Sequence, residues 1–332
     1  MLGPKGAWTE GLLGRDPATG QIATALPGIL FTPAGARSPV SRNGGRTPES
    51  EGGSGPVVLV TGAGGGIGSA IALAFADRGW RVYATDVATP LPDAVADRCE
   101  TRELDVTDEA QCRAVVESVV REAGRLDCLV NNAGYAEAGP VEDVPVDAAR
   151  DSVDVLVHGP HALARAVLPH MRERGRGRIV TVSSVMGLIA SPGLGVYAAG
   201  KAAVESLHDA LRVELRGTGV DVCLVEPAWV ETDFADAARA RTEGRDRTSD
   251  YERTYAGLDD GWILDGTPLA VSPDAVARTV IEAAESGSPK ARYPVGRFAQ
   301  FVRWTQWLPA AVVDPIQATY SRVTAAIGRW WR

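Results

Sequence analysis

The chain has 332 residues, 45% of them hydrophobic, and its 34 basic and 42 acidic side chains give a net charge of −8. That balance argues against nucleic acid as a partner, and no stretch reaches the ~18 apolar residues of a membrane span. The four cysteines, Cys99, Cys112, Cys128 and Cys223, form no C-x-x-C pair and have no histidine at metal spacing. They read as reduced core thiols of a cytoplasmic protein, with no metal role.

Residues 1–56 contain 12 Gly and 7 Pro without a sustained period and read as a flexible extension. No charged segment followed by an apolar one opens the chain, so a secretory signal is not expected. From Val57 the pattern changes to short β-branched runs separated by helical stretches. Val57–Val60, Arg81–Thr85, Leu126–Val130, Arg178–Val182, Val220–Val225 and Ala291–Val295 are expected strands. Helices are expected at Ile67–Arg78, Asp108–Ala123, Val146–Arg174 and Tyr197–Gly217, with another started by Ser272-Pro273-Asp274 and ending near Gly287. Strands alternating with helices predict an α/β fold, a parallel sheet with helices on both faces, over residues 57–296. Within it, residues 235–265 are charged and loop-like, then contain Trp262-Ile263-Leu264, a pattern that suits a lid.

Residues 297–332 carry five arginines against one acid. Phe298, Phe301, Val302, Trp307 and Leu308, then Ile316, Tyr320, Val323 and Ile327, recur at helical spacing. Two readings of this basic amphipathic tail are open: helices packed on the domain or across a dimer, or a helix in peripheral contact with a membrane.

Thr61-Gly62-Ala63-Gly64-Gly65-Gly66-Ile67-Gly68 follows the first expected strand and opens a helix. Glycines there let the backbone approach a pyrophosphate, and the helix N-terminus offers N–H groups to that charge. Asp86 ends the second strand, eighteen residues after Gly68. A carboxylate there accepts hydrogen bonds from a ribose diol and repels a 2′-phosphate, which favours NAD over NADP.

Tyr197 and Lys201 are four residues apart, on one face of a helix, and Ser184 precedes the tyrosine by thirteen. A phenol with a reference pKa of about 10 works as an acid or base near neutrality only beside a cation, and Lys201 is placed to supply one. The histidines His158, His161, His170 and His208 read as packing or solvent-facing residues.

Thr61-Gly62-x-x-x-Gly66-Ile67-Gly68, Asn131-Asn132-Ala133-Gly134, Ser184, Tyr197-x-x-x-Lys201 and Pro227-x-x-Val230-x-Thr232 follow one another in the order and spacing of a known family. From Pro56 to Val295 the chain resembles the short-chain dehydrogenase/reductases. The resemblance implies a single-domain Rossmann-type doubly wound sheet and an oxidoreductase that moves a hydride between NAD(H) and an alcohol or ketone. It implies that Tyr197 exchanges a proton with the substrate oxygen, that Ser184 holds that oxygen, and that Lys201 lowers the tyrosine pKa and binds the nicotinamide ribose. It further implies cofactor contacts from Gly62, Gly66, Ile67, Gly68, Asp86, Asp105, Val106, Asn132, Gly134, Tyr197, Lys201, Pro227, Val230 and Thr232. A homo-oligomer built on the helices Asp151–Arg174 and Tyr197–Gly217 is also implied.

Two positions depart from the family pattern. Leu156 stands where an asparagine commonly completes a proton relay to the lysine, and leucine neither donates nor accepts. Ala228 replaces the usual glycine after the proline. The segments expected to enclose the substrate supply Met186, Leu188, Ile189, Leu194, Trp229 and Phe234, which suit a lipophilic steroid-, retinoid- or polyketide-like alcohol or ketone. Two other readings stay open: a redox-neutral enzyme that retains NAD, epimerase- or dehydratase-like, and a cofactor-binding protein without turnover.

Overall fold

A computed structural model describes residues 55–261, 263–264, 269–305, 308–309, 311–313 and 315. The expected extension before Gly55 lies outside them, as do Trp262 and, in the tail, Trp307, Ile316, Tyr320, Val323 and Ile327.

The described elements run β1 (Val57–Thr61), α1 (Gly66–Asp77), β2 (Arg81–Asp86), α2 (Asp93–Ala96), β3 (Glu100–Glu103), α3 (Glu109–Ala123) and β4 (Cys128–Asn131). They continue as α4 (Val146–Val153), a π turn (Asp154–His158), α5 (Gly159–Glu173), β5 (Gly177–Val182), α6 (Gly195–Glu214) and β6 (Val220–Pro227). The last are α7 (Phe234–Ala240), α8 (Glu252–Asp259), α9 (Pro273–Glu285), β7 (Arg292–Val295) and α10 (Arg297–Thr305). The strands form one parallel seven-stranded sheet ordered β3-β2-β1-β4-β5-β6-β7. This is the doubly wound α/β arrangement. Strand order reverses between β1 and β4, so their carboxyl ends open a crevice where such sheets bind ligands.

Alternation along β1 divides the core. Val58 and Val60 pack with Ile71 and Phe75 of α1 and with Val276, Val280 and Ile281 of α9. Val57 and Leu59 face the other way, onto Val116 and Val119 of α3 and Leu163, Val167 and Met171 of α5. With both faces covered, every residue of β1 is buried. Local signals set the helix ends. The Asp108 carboxylate accepts from Ala110 N (2.8 Å) and Gln111 N (3.1 Å) to start α3, and Gly124 ends it in the left-handed region at φ 73°.

Three elements depart from the sequence reading. β3, of sequence Glu-Thr-Arg-Glu, pairs with β2 at the sheet edge, where alternate residues are exposed and no apolar run marks it. The segment expected as a loop after Asp233 holds two helices, α7 and α8. The helix expected over Val146–Arg174 is continuous but widens into the π turn, where Gly159 N–H reaches back to Asp154 O. Pro160 has no N–H to offer the Leu156 carbonyl at α-helical spacing, which favours the wider turn there.

Candidate active site

One cavity of about 710 Å³ opens at the carboxyl ends of β1, β4, β5 and β6. Its lining includes Gly62, Gly66, Ile67, Gly68, Asp86, Asp105, Val106, Asn132, Gly134, Ser184, Tyr197, Lys201, Pro227, Val230 and Thr232, every site residue expected from the sequence.

At one end the chain leaves β1 through Gly62, at φ 68°, and enters α1. A Cβ on Gly68 would fall 1.9 Å from the Gly62 carbonyl oxygen, so glycine is what lets the turn close on the helix. Asn132 braces this turn from the neighbouring strand, its side-chain N–H₂ donating to Thr61 O (3.0 Å) and Gly62 O (3.1 Å). The first turn of α1 has no side-chain cap and no acid, so its N–H groups and dipole face the cavity uncompensated by a carboxylate. Asp86 lies beside the turn, its Oδ2 accepting from Gly64 N (2.9 Å) and its Oδ1 from Ala88 N (3.1 Å). Oxygens with further lone pairs, beside an open helix N-terminus, suit a dinucleotide with a ribose diol and a pyrophosphate.

At the other end, Ser184 Oγ accepts from Met186 N (3.1 Å) and shares a hydrogen bond with the Tyr197 hydroxyl. Tyr197 meets Phe234 edge-on, ring centroids 5.7 Å apart. Lys201 Nζ donates to Val182 O (2.9 Å) and lies 5.7 Å from the Tyr197 ring centroid. All three side chains are buried. Burial pushes the Tyr197 phenol up to about 12, against the pull of the Ser184 hydrogen bond. It pushes the Lys201 ammonium down to about 8, against the opposing charge of Glu205.

Leu156, on the π turn, is buried between two glycines: a Cβ on Gly134 or on Gly200 would come within 2.8 Å of its side chain. Asn131 turns away from the cavity and donates to Thr181 Oγ1 (3.1 Å), tying β4 to β5. The walls at the tyrosine end are Met186, Leu194, Trp229, Phe234, Ile263 and Leu264. Leu188 and Ile189, expected there, do not line the cavity; partly buried, they pack against the same apolar cluster as its walls.

Three lining residues had no motif to announce them. Asp151 and Asp154 come from α4 and the π turn, and Arg241 reaches from just beyond α7 to stack on Tyr135, 3.7 Å from its ring centroid. Arg241 belongs to a seam that ties the segment after α7 to the loop after β4. In it Arg245 pairs with the buried Glu137 and donates to Ala138 O (2.8 Å), Thr248 Oγ1 donates to Asp143 (2.6 Å), and Tyr251 donates to Glu142 (2.7 Å).

Residues 56–243 match the family model for short chain dehydrogenases. The chain belongs to the short-chain dehydrogenase/reductase family. The uncharacterized oxidoreductase YbbO of Escherichia coli (strain K12) is 35% identical over 78% of this chain and 93% of its own length. The 3-ketodihydrosphingosine reductase of Bacteroides thetaiotaomicron is 30% identical over 76% of this chain and 93% of its own. The solved structure of a family member from Burkholderia phymatum in complex with NAD aligns with a TM-score of 0.61 at 28% identity, over 73% of this chain and 88% of its own. The protein is accordingly an oxidoreductase of the nicotinamide-dependent kind.

Proposed function

We propose that the protein transfers a hydride between NAD(H) and a lipophilic secondary alcohol or its ketone, with Ser184, Tyr197 and Lys201 as the catalytic groups. The observation that carries this reading is the single cavity that joins the glycine turn and Asp86 to a buried Ser184–Tyr197–Lys201 cluster walled by apolar side chains. The similarity to a reductase of a long-chain ketone supports the same substrate class.

Gly62 to Gly68 and Asp86 would hold the adenosine half of the cofactor, and Lys201 with Pro227, Val230 and Thr232 its nicotinamide half. When bound, the nicotinamide accepts or gives the hydride and, in its oxidised form, carries a positive charge. Ser184 orients the substrate oxygen, and Tyr197 gives or takes the proton at that oxygen. Bringing the phenol from about 12 to near 7 requires roughly 7 kcal/mol of phenolate stabilisation. One unit charge at about 4 Å supplies only about 4 kcal/mol at an effective dielectric of 20. A protonated Lys201 works in that direction, as would the positive charge of an oxidised nicotinamide.

The test is a panel of long-chain secondary alcohols and ketones beside small polar ones, assayed in both directions with NAD(H) and NADP(H) at the reduced-nicotinamide absorbance band. Turnover of the lipophilic set with preference for NAD is the expected result. Product without net absorbance change would point to internal redox chemistry, and binding with neither to a non-catalytic protein; preference for NADPH would overturn the role of Asp86.

Two further expectations rest on this reading. Leu156→Asn is expected to raise kcat severalfold by placing a donor and acceptor between Gly134 and Gly200; an unchanged or lower kcat would show that the proton leaves by a different route. Peripheral membrane contact also fits the lipophilic substrate. Phe301 and Trp304 of α10 are 63% and 81% exposed, while Phe298 on the same helix stacks on the cavity residue Trp229, centroids 4.8 Å apart.

A further inference from the structure

Helix α6 carries its chemistry in a line. Tyr197, Lys201 and Glu205 follow one another at four-residue spacing, and all three are buried, Glu205 being only 5% exposed. Unlike the first two, Glu205 is not among the residues that line the cavity. Glu205 is packed closely from above: a Cβ on Gly187, in the turn after Ser184, would lie 3.0 Å from its Cγ. Its Oε2 takes Arg292 of β7 at 2.9 Å, while its Oε1 is buried without a hydrogen-bond partner.

Three carboxylates converge on one guanidinium. Arg292 is shared by Glu205, by Asp209 Oδ2 (2.7 Å) and by Glu226 Oε1 of β6 (3.0 Å). Glu226 is fully buried, and its second oxygen reaches Arg303 of α10 at 3.7 Å. Burial and the neighbouring Glu205 raise the Glu226 carboxyl to about 7, while Glu205 keeps the Arg292 guanidinium against its Oε2. Asp209, further along α6, is held ionised by Arg292 and Arg212.

On the lysine side, His208 adds no positive charge. Its Nδ1 donates to Val204 O (2.9 Å), so Nε2 accepts from the Thr181 hydroxyl (2.7 Å), and burial lowers the ring to about 4, leaving it neutral. Tyr197 and Ser184 are neutral as donors, and Leu156 is apolar. Glu205 is thus the anion that opposes the burial penalty on Lys201.

We infer that Glu205 is a positioning residue for the reaction: one turn below Lys201, and itself anchored by Arg292, it holds the lysine in its ammonium form so that the lysine can act on Tyr197. This rests on the proposed role of Lys201, and a direct titration separates the two. The full chain contains three lysines, Lys5, Lys201 and Lys290, so ¹³Cε-lysine NMR can follow Lys201 without any turnover. Glu205→Gln is expected to move its midpoint from about 8 to lower pH by about one pH unit, a tenfold weaker hold on the proton. Glu205→Asp, which keeps a carboxylate, restores most of it. Asp209→Asn, which touches the same Arg292 from a more exposed position, leaves it in place.

With NAD and 2-decanol as the probe pair, the pH profile of kcat for oxidation is expected to narrow from both sides in Glu205→Gln. The rising limb, where Tyr197 loses its proton, moves up because the cation beside it is weaker; the falling limb, where Lys201 loses its proton, moves down. An unchanged Lys201 midpoint in Glu205→Gln, or an equal shift in Asp209→Asn, would overturn the inference. Should Glu205→Gln not fold, the wild-type titration decides: a Lys201 midpoint below about 7 would show that Glu205 does not hold the charge. Loss of turnover on 2-decanol in the wild type, with the NMR shift intact, would count against the proposed substrate class alone.

Discussion

Tyr197→Phe is expected to lower kcat by about 10²- to 10⁴-fold, the range that a positioned proton-transfer group contributes. The substitution is close to isosteric. Phenylalanine keeps the edge-on contact with Phe234 and the apolar packing around Leu156, and removes only the hydroxyl that bonds to Ser184. NAD affinity and the thermal midpoint should therefore change little, so the loss belongs to chemistry and not to folding. Retention of more than a tenth of wild-type kcat, with binding intact, would remove Tyr197 from its proposed role.

Gly68→Ala should abolish cofactor binding and also weaken the fold. Its Cβ would sit 1.9 Å from the Gly62 carbonyl oxygen and 2.7 Å from the Asn132 amide nitrogen. The first of these is backbone, so no rotamer change relieves the overlap: α1 must draw back from the end of β1. Overpacking of this kind costs about 1–3 kcal/mol, which for a domain of this size lowers the thermal midpoint by roughly 2–12 °C. The displaced turn no longer presents its N–H groups together, and NAD affinity should fall at least about 100-fold. Gly65→Ala is the control, because its Cβ would meet nothing nearer than 3.9 Å, and its thermal stability should match the wild type. Equal NAD affinity in wild type and Gly68→Ala, measured calorimetrically, would show that the cofactor is not held at this turn.

The sheet was legible in the sequence because a strand covered on both faces must be apolar along its whole length, as β1 is. The glycine turn and the Tyr197–Lys201 pair were legible because sterics and helical register tie residue type to position. β3 was not, since an edge strand with exposed alternate residues has no hydrophobic signature, and Glu-Thr-Arg-Glu reads as loop. The π turn left one trace, Pro160, whose effect on the helix depends on which carbonyl it deprives. Arg241 and Glu205 were missed for a common reason: each matters through a partner distant in sequence. Tyr135 is 106 positions before Arg241, and Arg292 is 87 positions after Glu205. Leu188 and Ile189 were expected in the cavity because they lie between Ser184 and Tyr197, but they are partly buried against the apolar cluster and do not line that cavity.

The seam between residues 135–143 and 241–255 bears on how substrates come and go. Its central pair, Arg245 with Glu137, is buried, and separating a buried ion pair strands an uncompensated charge. That side of the cavity is the fixed jamb of a door. The wall at Ile263 and Leu264 is apolar instead, with the Trp229 indole donating to the Ile263 carbonyl at 3.0 Å. Anyone redesigning this enzyme for larger guests would leave the jamb alone and whittle Ile263 and Leu264, where added room costs no buried charge.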